Sequence, residues 1–227
     1  MTERTIPSSY DPIPHRPERI ASEEVARRIR EDRAVMQTRR SVRHFSRDPV
    51  PREVIEDAIR IAGTAPSGAH RQPWYFIAIS EPELKAKLRE AAEAEEREFY
   101  ERRAPDEWLE ALAPMGTDFH KEHLTEAPWV IVVFRRDHEV LEDGTKLRSY
   151  YLTESVGIAV GFLLSALHRA GLCALTHTPA PMNFLREVCG RPSSEKPFVI
   201  IPVGHAADDC VVPNLDRKPL EEIGELR

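Results

Sequence analysis

The sequence predicts a mixed fold of helices and strands, and the order of its segments leaves α/β and α+β architectures both open. Four short apolar runs separated by helical segments carry this prediction: "WYFIAIS" at 74–80, "APWVIVVF" at 127–134, "CALTHT" at 173–178 and "PFVIIPV" at 197–203. Each run has the length and apolar content of a buried strand. The 227 residues contain no internal repeat and no wide linker, which predicts one domain.

The N-terminal part of the chain predicts an arm followed by two helices. Residues 1–20 contain four prolines, which lack a backbone donor, so we expect an extended arm before a single domain at 21–227. The first helix starts with Ser22 as its N-cap. The second has Pro51 near its first turn, an apolar stripe along one face, and Gly63 as its stop.

The middle of the chain predicts a long helix and then a broken segment. Residues 81–103 are acidic and helical in pattern, and we expect them to be mostly exposed. Prolines and a glycine interrupt residues 104–124, which predicts short helical pieces forming a mobile cover. A further apolar helix is predicted over 149–169, and a short helix, "NFLREVCG", precedes the last strand.

Composition excludes several classes of function. The net charge of −6 argues against nucleic acid as a main partner. The three cysteines have no metal-ligand spacing, so no metal site is predicted, and reduced thiols favour a cytoplasmic location. No secretory signal is expected, and the most apolar helix is too short to span a membrane. His120 and His123 are predicted to lie on the surface.

A basic cluster and a small-residue loop are the two unusual local motifs. "TRRSVRHF" places Arg39, Arg40 and Arg43 around Ser41, which fits either a phosphate cradle or a basic helix terminus. Arg217 in "NLDRKPL" is a candidate to complete a cradle, although no Walker or Rossmann motif is present. "TAPSGAH" fits either a backbone platform for a planar ring or an ordinary tight turn between helix and strand.

Taken in order, these motifs resemble the FMN-dependent nitroreductase superfamily, and most closely its iodotyrosine deiodinase branch. The match runs from Arg39 to "RKPL" and includes "AGTAPSGAH", "KEHL" and "CGRP". The resemblance implies an α+β, nitroreductase-like FMN-binding fold, with a central, mostly antiparallel sheet flanked by helices. It also implies a domain-swapped-style homodimer that holds FMN non-covalently at its interface, with the helix of Gly157 and Gly161 in that interface.

The resemblance assigns a set of residues to the cofactor. They are Arg39, Arg40, Ser41, Val42, Arg43, Pro66, Ser67, Gly68, Thr176, His177, Thr178 and Arg217. Arg217 would reach the phosphate, and Thr178 would be catalytic, because its hydroxyl would meet flavin N5 and favour one-electron chemistry. His177 departs from the threonine run of the animal enzymes.

A second set of residues is assigned to the substrate. Glu96 would bind the ammonium of an amino-acid zwitterion, while Tyr100 and Lys121 would bind its carboxylate. Glu96 and Tyr100 have i, i+4 spacing and share a helix face. The backbone N–H of Ala69 would bind the phenolate, and residues 96–124 would form the lid. Without the resemblance, the acidic run around Glu96 fits a solvated helix face equally.

The implied activity is FMN-dependent reductive dehalogenation of halotyrosines, such as mono- and diiodotyrosine or their bromo and chloro analogues, to tyrosine and halide. Electrons would come from NAD(P)H, directly or through a partner reductase. One alternative is a general NAD(P)H-dependent nitro or quinone reductase. Another is a protein that binds flavin or senses amino acids without turnover.

Overall fold

A four-stranded sheet in the order β1–β2–β6–β5 organises residues 38–227, and all of its neighbouring strands are antiparallel. The strands are β1 (Trp74–Ile79), β2 (Trp129–Arg136), β3 (His138–Val140), β4 (Lys146–Arg148), β5 (Cys173–Ala174) and β6 (Glu195–Gly204). Strands β3 and β4 form a separate hairpin that the sequence did not predict. Because the main sheet is antiparallel, the fold is α+β, as the resemblance implied.

The computed structural model describes residues 11–227, so the first half of the predicted arm, residues 1–10, lies outside the described residues. The helices are α1 (Ser22–Gln37), α2 (Arg52–Gly63), α3 (Pro82–Glu98), α4 (Asp106–Leu112), α5 (His123–Glu126), α6 (Leu152–Arg169), α7 (Phe184–Val188) and α8 (Leu220–Ile223). A π-helical turn, Phe99–Arg103, extends α3, and a 3-10 turn, Ala113–Met115, follows α4. The segment predicted to be broken is thus a series of short helices.

The chain divides into two compact units, one ending at Gln37 and the other running from Thr38 to Arg227. In the first unit, residues 11–20 are exposed and lack regular structure, and α1 follows them. Side-chain ion pairs such as Arg27 with Glu24 and Glu31 line the exposed surface of α1. The single domain at 21–227 stays a prediction.

The sheet of the second unit is buried on both faces. Ile131 and Val133 of β2 pack with residues of α2 and α6 on one face. Val130 and Val132 point the other way, into a cluster with residues of α3, α5 and α7. Alternate side chains of a strand face opposite sides, so a strand covered on both sides is a continuous apolar run. This explains why the sequence "WVIVVF" predicted β2 correctly.

The predicted strand at 173–178 is only partly correct. Cys173 and Ala174 pair with β6, after which regular pairing stops and resumes at a single bridge between His177 and Ile200. The Leu175 N–H donates to the Pro202 carbonyl at 3.4 Å, but proline has no N–H to donate in return. Because of this interruption, residues 175–178 do not continue β5 as a regular strand at the edge of the sheet.

Among residues 11–227, no helix has both the length and the apolar character required to cross a bilayer.

Candidate active site

The structure brings the three predicted clamp residues together. Glu96 lies in the last turn of α3, Tyr100 in the π-helical turn that follows, and Lys121 just before α5. Lys121 Nζ is 3.2 Å from Glu96 Oε2, and the two side chains are 3% and 12% exposed. The Lys121 ammonium also stands 5.7 Å from the centre of the Tyr100 ring. The clamp is therefore a largely buried ion pair beside a phenol.

Neighbouring polar groups fix the orientation of the clamp. The Lys121 N–H donates to Glu93 Oε1 at 2.8 Å, and its ammonium donates to the Asp118 carbonyl. The Tyr100 hydroxyl donates to the Thr117 carbonyl at 3.3 Å. Burial raises the pKa of Tyr100, so its hydroxyl stays protonated and remains a donor at neutral pH.

Other members of the acidic run lie on a solvated helix face, as the alternative interpretation of this run predicted. Glu98 forms an ion pair with exposed Arg102, and Glu95 forms one with Arg103. Glu96 differs from them because its carboxylate points into the protein. The acidic run therefore contains ordinary surface residues as well as the largely buried carboxylate of Glu96.

A cavity of about 450 Å³ opens beside the clamp. Part of its wall is apolar, formed by Phe99, Trp108, Leu112, Pro179 and Met182. The rings of Phe99 and Trp108 meet edge to face, with centroids 5.2 Å apart. The predicted residues Thr176, His177 and Thr178 line the same cavity. A cavity lined by both an apolar wall and a charged clamp suits a ligand with an aromatic ring and a charged end.

Two histidines form a second part of this cavity, the predicted site residue His177 and His123, which was not predicted to belong to the site. His177 Nε2 lies 3.2 Å from Glu96 Oε1, so the two carboxylate oxygens of Glu96 have different partners. The His123 ring stands perpendicular to that of His177, with centroids 5.4 Å apart. The prediction that His123 lies on the surface was wrong, since it is 6% exposed. The four-residue helix α5 is too short for apolar periodicity to reveal this burial.

Burial controls the charges of these groups. Burial is the main reason why the pKa of His123 is lowered to about 3, and the nearby His177 and Lys121 contribute in the same direction. Burial also lowers the pKa of His177. For Glu96, burial raises the pKa, but the hydrogen bond from His177 and the Lys121 ammonium outweigh burial and leave that pKa below its ordinary value. The site therefore holds an ionised Glu96 beside neutral imidazoles.

The predicted arginine cluster lines a separate cavity of about 300 Å³. Arg39, Arg40, Ser41, Arg43 and Arg217 all belong to its wall, and Asp216 lies with them. Arg217 donates to the Arg39 carbonyl, which joins the two ends of the motif. Burial lowers the pKa of Arg39, and the like charges of Arg217 and Arg40 lower it further. Guanidinium groups crowded in this way fit the phosphate of FMN, because an anion relieves their repulsion.

Arg43 and its neighbours connect the cluster with the rest of the site. The Arg43 side chain lines both the arginine cavity and the substrate-sized cavity beside Glu96. The side chain of Val42 packs instead with Phe45 and Ala127 in a small apolar cluster. Its backbone N–H donates to the Ala174 carbonyl at 3.3 Å, which ties the motif to the sheet edge. Val42 thus anchors the arginines, and its contact with a cofactor stays a prediction.

The small-residue loop lies elsewhere on the chain. Gly68 packs so closely against Tyr150 and Tyr151 that an added Cβ would meet Tyr151 Cδ2 at 2.8 Å. Residues Ala69, His70 and Gln72 adopt left-handed backbone conformations, which cost about 1–2 kcal/mol each for non-glycine residues. The Ser67 hydroxyl accepts a hydrogen bond from the Gln72 N–H at 2.9 Å. Pro66 to Ala69 line neither the arginine cavity nor the cavity beside Glu96.

Comparison with known families identifies the class of protein. A model of the nitroreductase family matches residues 36–205, which span the sheet, the clamp and the arginines of the cluster other than Arg217. The chain therefore belongs to the nitroreductase family.

Individual relatives indicate which branch of the nitroreductase family this chain resembles. Iodotyrosine deiodinase of Haliscomenobacter hydrossis is 53% identical over 206 residues, covering 91% of this chain and 93% of that protein. Iodotyrosine deiodinase of Hydra vulgaris is 47% identical over 214 residues, covering 94% and 79%. The crystal structure of oxidised iodotyrosine deiodinase bound to FMN and 3-iodo-L-tyrosine superposes with a TM-score of 0.71 at 30% identity, covering 83% and 95%. The predicted resemblance to the iodotyrosine deiodinase branch is confirmed.

The buried His123 predicts a loss of stability in acid. Folded His123 stays neutral down to about pH 3, whereas the unfolded chain takes up a proton below about pH 6.5. The unfolded state therefore binds more protons between these values, and the free energy of unfolding falls as pH falls. We expect His123 to contribute a slope of up to about 1.4 kcal/mol per pH unit. Urea unfolding from pH 7 to pH 4 should show a shallower fall for His123→Gln than for wild type. His205→Gln, which changes an exposed histidine, should keep the wild-type slope, and equal slopes for all three proteins would contradict the assignment.

Proposed function

We propose that this protein is an FMN-dependent oxidoreductase that removes halogen reductively from halotyrosines and releases tyrosine and halide. The observation that carries the proposal is the buried Glu96–Lys121 ion pair, with Tyr100 beside it, at one end of a cavity with an aromatic and aliphatic wall. Membership of the iodotyrosine deiodinase branch supports the same conclusion.

The charges of the clamp favour a zwitterion over a ligand with one charge. Glu96 and Lys121 neutralise each other, so a ligand with a single charge would leave one buried charge unmatched. A free amino acid adds one ammonium and one carboxylate together. Its ammonium would lie at Glu96, and its carboxylate at Lys121 and the Tyr100 hydroxyl. Every buried charge then has a partner of opposite sign.

The remainder of the cavity suits a halogenated phenol ring. Phe99, Trp108 and Met182 offer polarisable apolar contacts to a ring and a large halogen. The substrate class is therefore a tyrosine with halogen on its ring, and iodotyrosines are the first candidates because of the relatives. The backbone N–H of Ala69 would bind the phenolate, using the left-handed loop that exposes it.

The arginine cavity would hold the FMN phosphate through Arg39, Arg40 and Arg217, with Ser41 and Arg43 towards the rest of the flavin. The chemistry supplied by bound FMN is delivery of two electrons, which with one proton replace the carbon–halogen bond by carbon–hydrogen and release halide. Thr178 lines the cavity beside Arg43 and would offer its hydroxyl to flavin N5. NAD(P)H would supply the electrons, directly or through a partner reductase, and the three free cysteines fit a reducing cytoplasm.

A homodimer would complete this site. The loop of Pro66 to Ala69 packs against the start of α6, away from the arginine cavity of its own chain. The adjoining face of α6 is exposed and carries Gly157, Ile158, Gly161 and Phe162, an apolar stripe with room for another backbone. A second copy of the chain packed on this stripe would bring its own Pro66–Ala69 loop towards the arginine cavity of the first copy. This supports the domain-swapped-style dimer. Residues 96–124 would act as the lid, closing over the ring when the zwitterion binds.

Turnover tests the proposed function directly. FMN-loaded protein reduced with dithionite under anaerobic conditions should convert diiodotyrosine to tyrosine repeatedly, as measured by chromatography. If no tyrosine forms while the flavin is bound and reducible, and nitroaromatic compounds are reduced instead, the protein is a general nitro or quinone reductase. Binding of both ligands without any turnover would indicate a sensor.

The role of Glu96 predicts a specific loss of binding. Glu96→Gln should weaken halotyrosine binding by about 2–5 kcal/mol, the range for removing one partner of a desolvated charge pair. The measurement is isothermal titration calorimetry on the FMN-loaded protein. Glu98→Gln is the matched control, because Glu98 lies two residues away in an exposed ion pair worth at most about 1 kcal/mol. Equal affinities of the Glu96→Gln variant and wild type would contradict the zwitterion clamp.

The arginine cavity predicts a phosphate-specific effect. Arg217→Gln should weaken FMN binding by about 1.5–3 kcal/mol, the range for a hydrogen bond to a charged group. Riboflavin, which lacks the phosphate, should bind both proteins equally, as followed by flavin fluorescence. Arg60→Gln, on the exposed face of α2, should change neither affinity. A loss of riboflavin affinity equal to that of FMN would show that Arg217 supports the fold and not the phosphate.

A further inference from the structure

His177 connects the clamp to the central sheet. Its backbone N–H donates to the Ile200 carbonyl at 2.8 Å, and the Ile200 N–H donates back at 2.9 Å, so its main chain is fixed on β6. Its side chain, 9% exposed, places Nε2 3.2 Å from Glu96 Oε1. Glu96 itself belongs to the end of α3 and lines the same cavity as His177.

The contact requires one particular protonation state of the imidazole. A carboxylate oxygen only accepts hydrogen bonds, so His177 must carry its proton on Nε2 to bond with Glu96. Its Nδ1 is buried and has no hydrogen-bond partner among residues 11–227. A second proton on Nδ1 would therefore be buried without an acceptor, and burial favours the neutral ring. His177 thus acts as a neutral donor of fixed direction.

The two oxygens of Glu96 have separate roles in this arrangement. Oε2 contacts Lys121, and the substrate carboxylate would also bind this lysine. Oε1 contacts His177, which is neutral and does not balance the charge of Glu96. When Lys121 turns towards a substrate carboxylate, the hydrogen bond from His177 still holds Glu96. Preorganised groups bind a ligand more tightly, because less freedom is lost on binding.

We infer that His177 is a positioning residue for substrate selection: it orients the Glu96 carboxylate and keeps it ionised for the ammonium of the amino acid. The inference rests on the proposed function. His177 therefore contributes to the recognition of the amino group and not to recognition of the phenol ring. A ligand with the same ring and carboxylate but no amino group does not use this contact.

The pH dependence of binding follows from the groups that face Glu96. These groups are Lys121, His177 and Tyr100. Arg43 and His123 line the same cavity, and Asp118 lies beside Lys121. The ammonium needs an ionised Glu96, so binding is lost as pH falls through the pKa of Glu96. Removal of the His177 donor raises this pKa, because one of the two groups that stabilise the anion is gone. The acid limb of the binding profile, the pH range over which affinity is lost as pH falls, then moves to higher pH.

Two substitutions with side chains of equal length distinguish a positioning role of His177 from a packing role. His177→Gln places an amide N–H near the position of Nε2 and retains the donor, whereas His177→Met fills similar space without one. The FMN-loaded proteins are titrated calorimetrically from about pH 3.5 to pH 8, a range that extends below the ordinary pKa of a glutamate, with 3-iodotyrosine and with its deamino analogue, 3-(4-hydroxy-3-iodophenyl)propionate. FMN content and the thermal unfolding midpoint are measured for each protein. If His177→Met does not fold, His177→Asn replaces it. The asparagine amide is shorter and reaches only the position of Nδ1, so it cannot donate to Glu96.

We expect His177→Met to weaken 3-iodotyrosine binding about tenfold or more, the scale of one hydrogen bond to a charged group, and to move the acid limb upward. His177→Gln should keep the wild-type limb, and the deamino analogue should bind all three proteins equally. Equal losses in both variants, or equal losses for both ligands, would overturn the inference and leave a packing role. If wild type itself does not prefer 3-iodotyrosine to the deamino analogue, the zwitterion clamp of the proposed function fails first, and the inference fails with it.

Discussion

The burial of a carboxylate at the end of α3 constrains the rest of this site. An ionised group removed from water is unfavourable unless partners compensate both its charge and its hydrogen bonds. Glu96 meets that requirement with Lys121 on one oxygen and His177 on the other. These partners come from the segment before α5 and from the edge of the sheet. Three distant parts of the chain are therefore joined at one carboxylate, and the cavity forms where they meet.

The sheet provides the rigid side of this arrangement. Strands β2 and β6 are covered on both faces, so their backbone has little freedom near Ile200. His177 bonds to that backbone through both of its own main-chain groups. Pro202 supports this indirectly, because its missing N–H ends the regular pairing and lets residues 175–178 line a cavity instead of continuing as a strand. One proline in the sheet thus helps to shape the site.

Local sequence pattern predicted the elements better than their assembly. The apolar runs of β1, β2 and β6 and the stripe of α2 were evident, because burial on one or both faces leaves a periodic signal. Strand order has no local signal, so the pattern of elements fits both α/β and α+β architectures, and only the family resemblance distinguishes between them. The hairpin β3–β4 escaped prediction, since its three-residue strands, "HEV" and "KLR", are short and largely polar. Glu96 could not be separated from Glu95 and Glu98 by spacing, and the burial of His123 depends on tertiary contacts alone.

The distribution of burial over residues 92–121 explains how the substrate site can be both precise and adaptable. Ala92 and Lys121 are almost completely buried, and no residue from 93 to 120 is buried to the same degree. Segments with few buried contacts open locally at low free-energy cost, whereas their anchored ends do not. Glu96 and Lys121 lie close to the two anchored ends, while Trp108 and Leu112 lie in the loosely held middle. The charged contacts are therefore held in place by the core, and the apolar wall retains the freedom to adjust to the size of the ring that it covers.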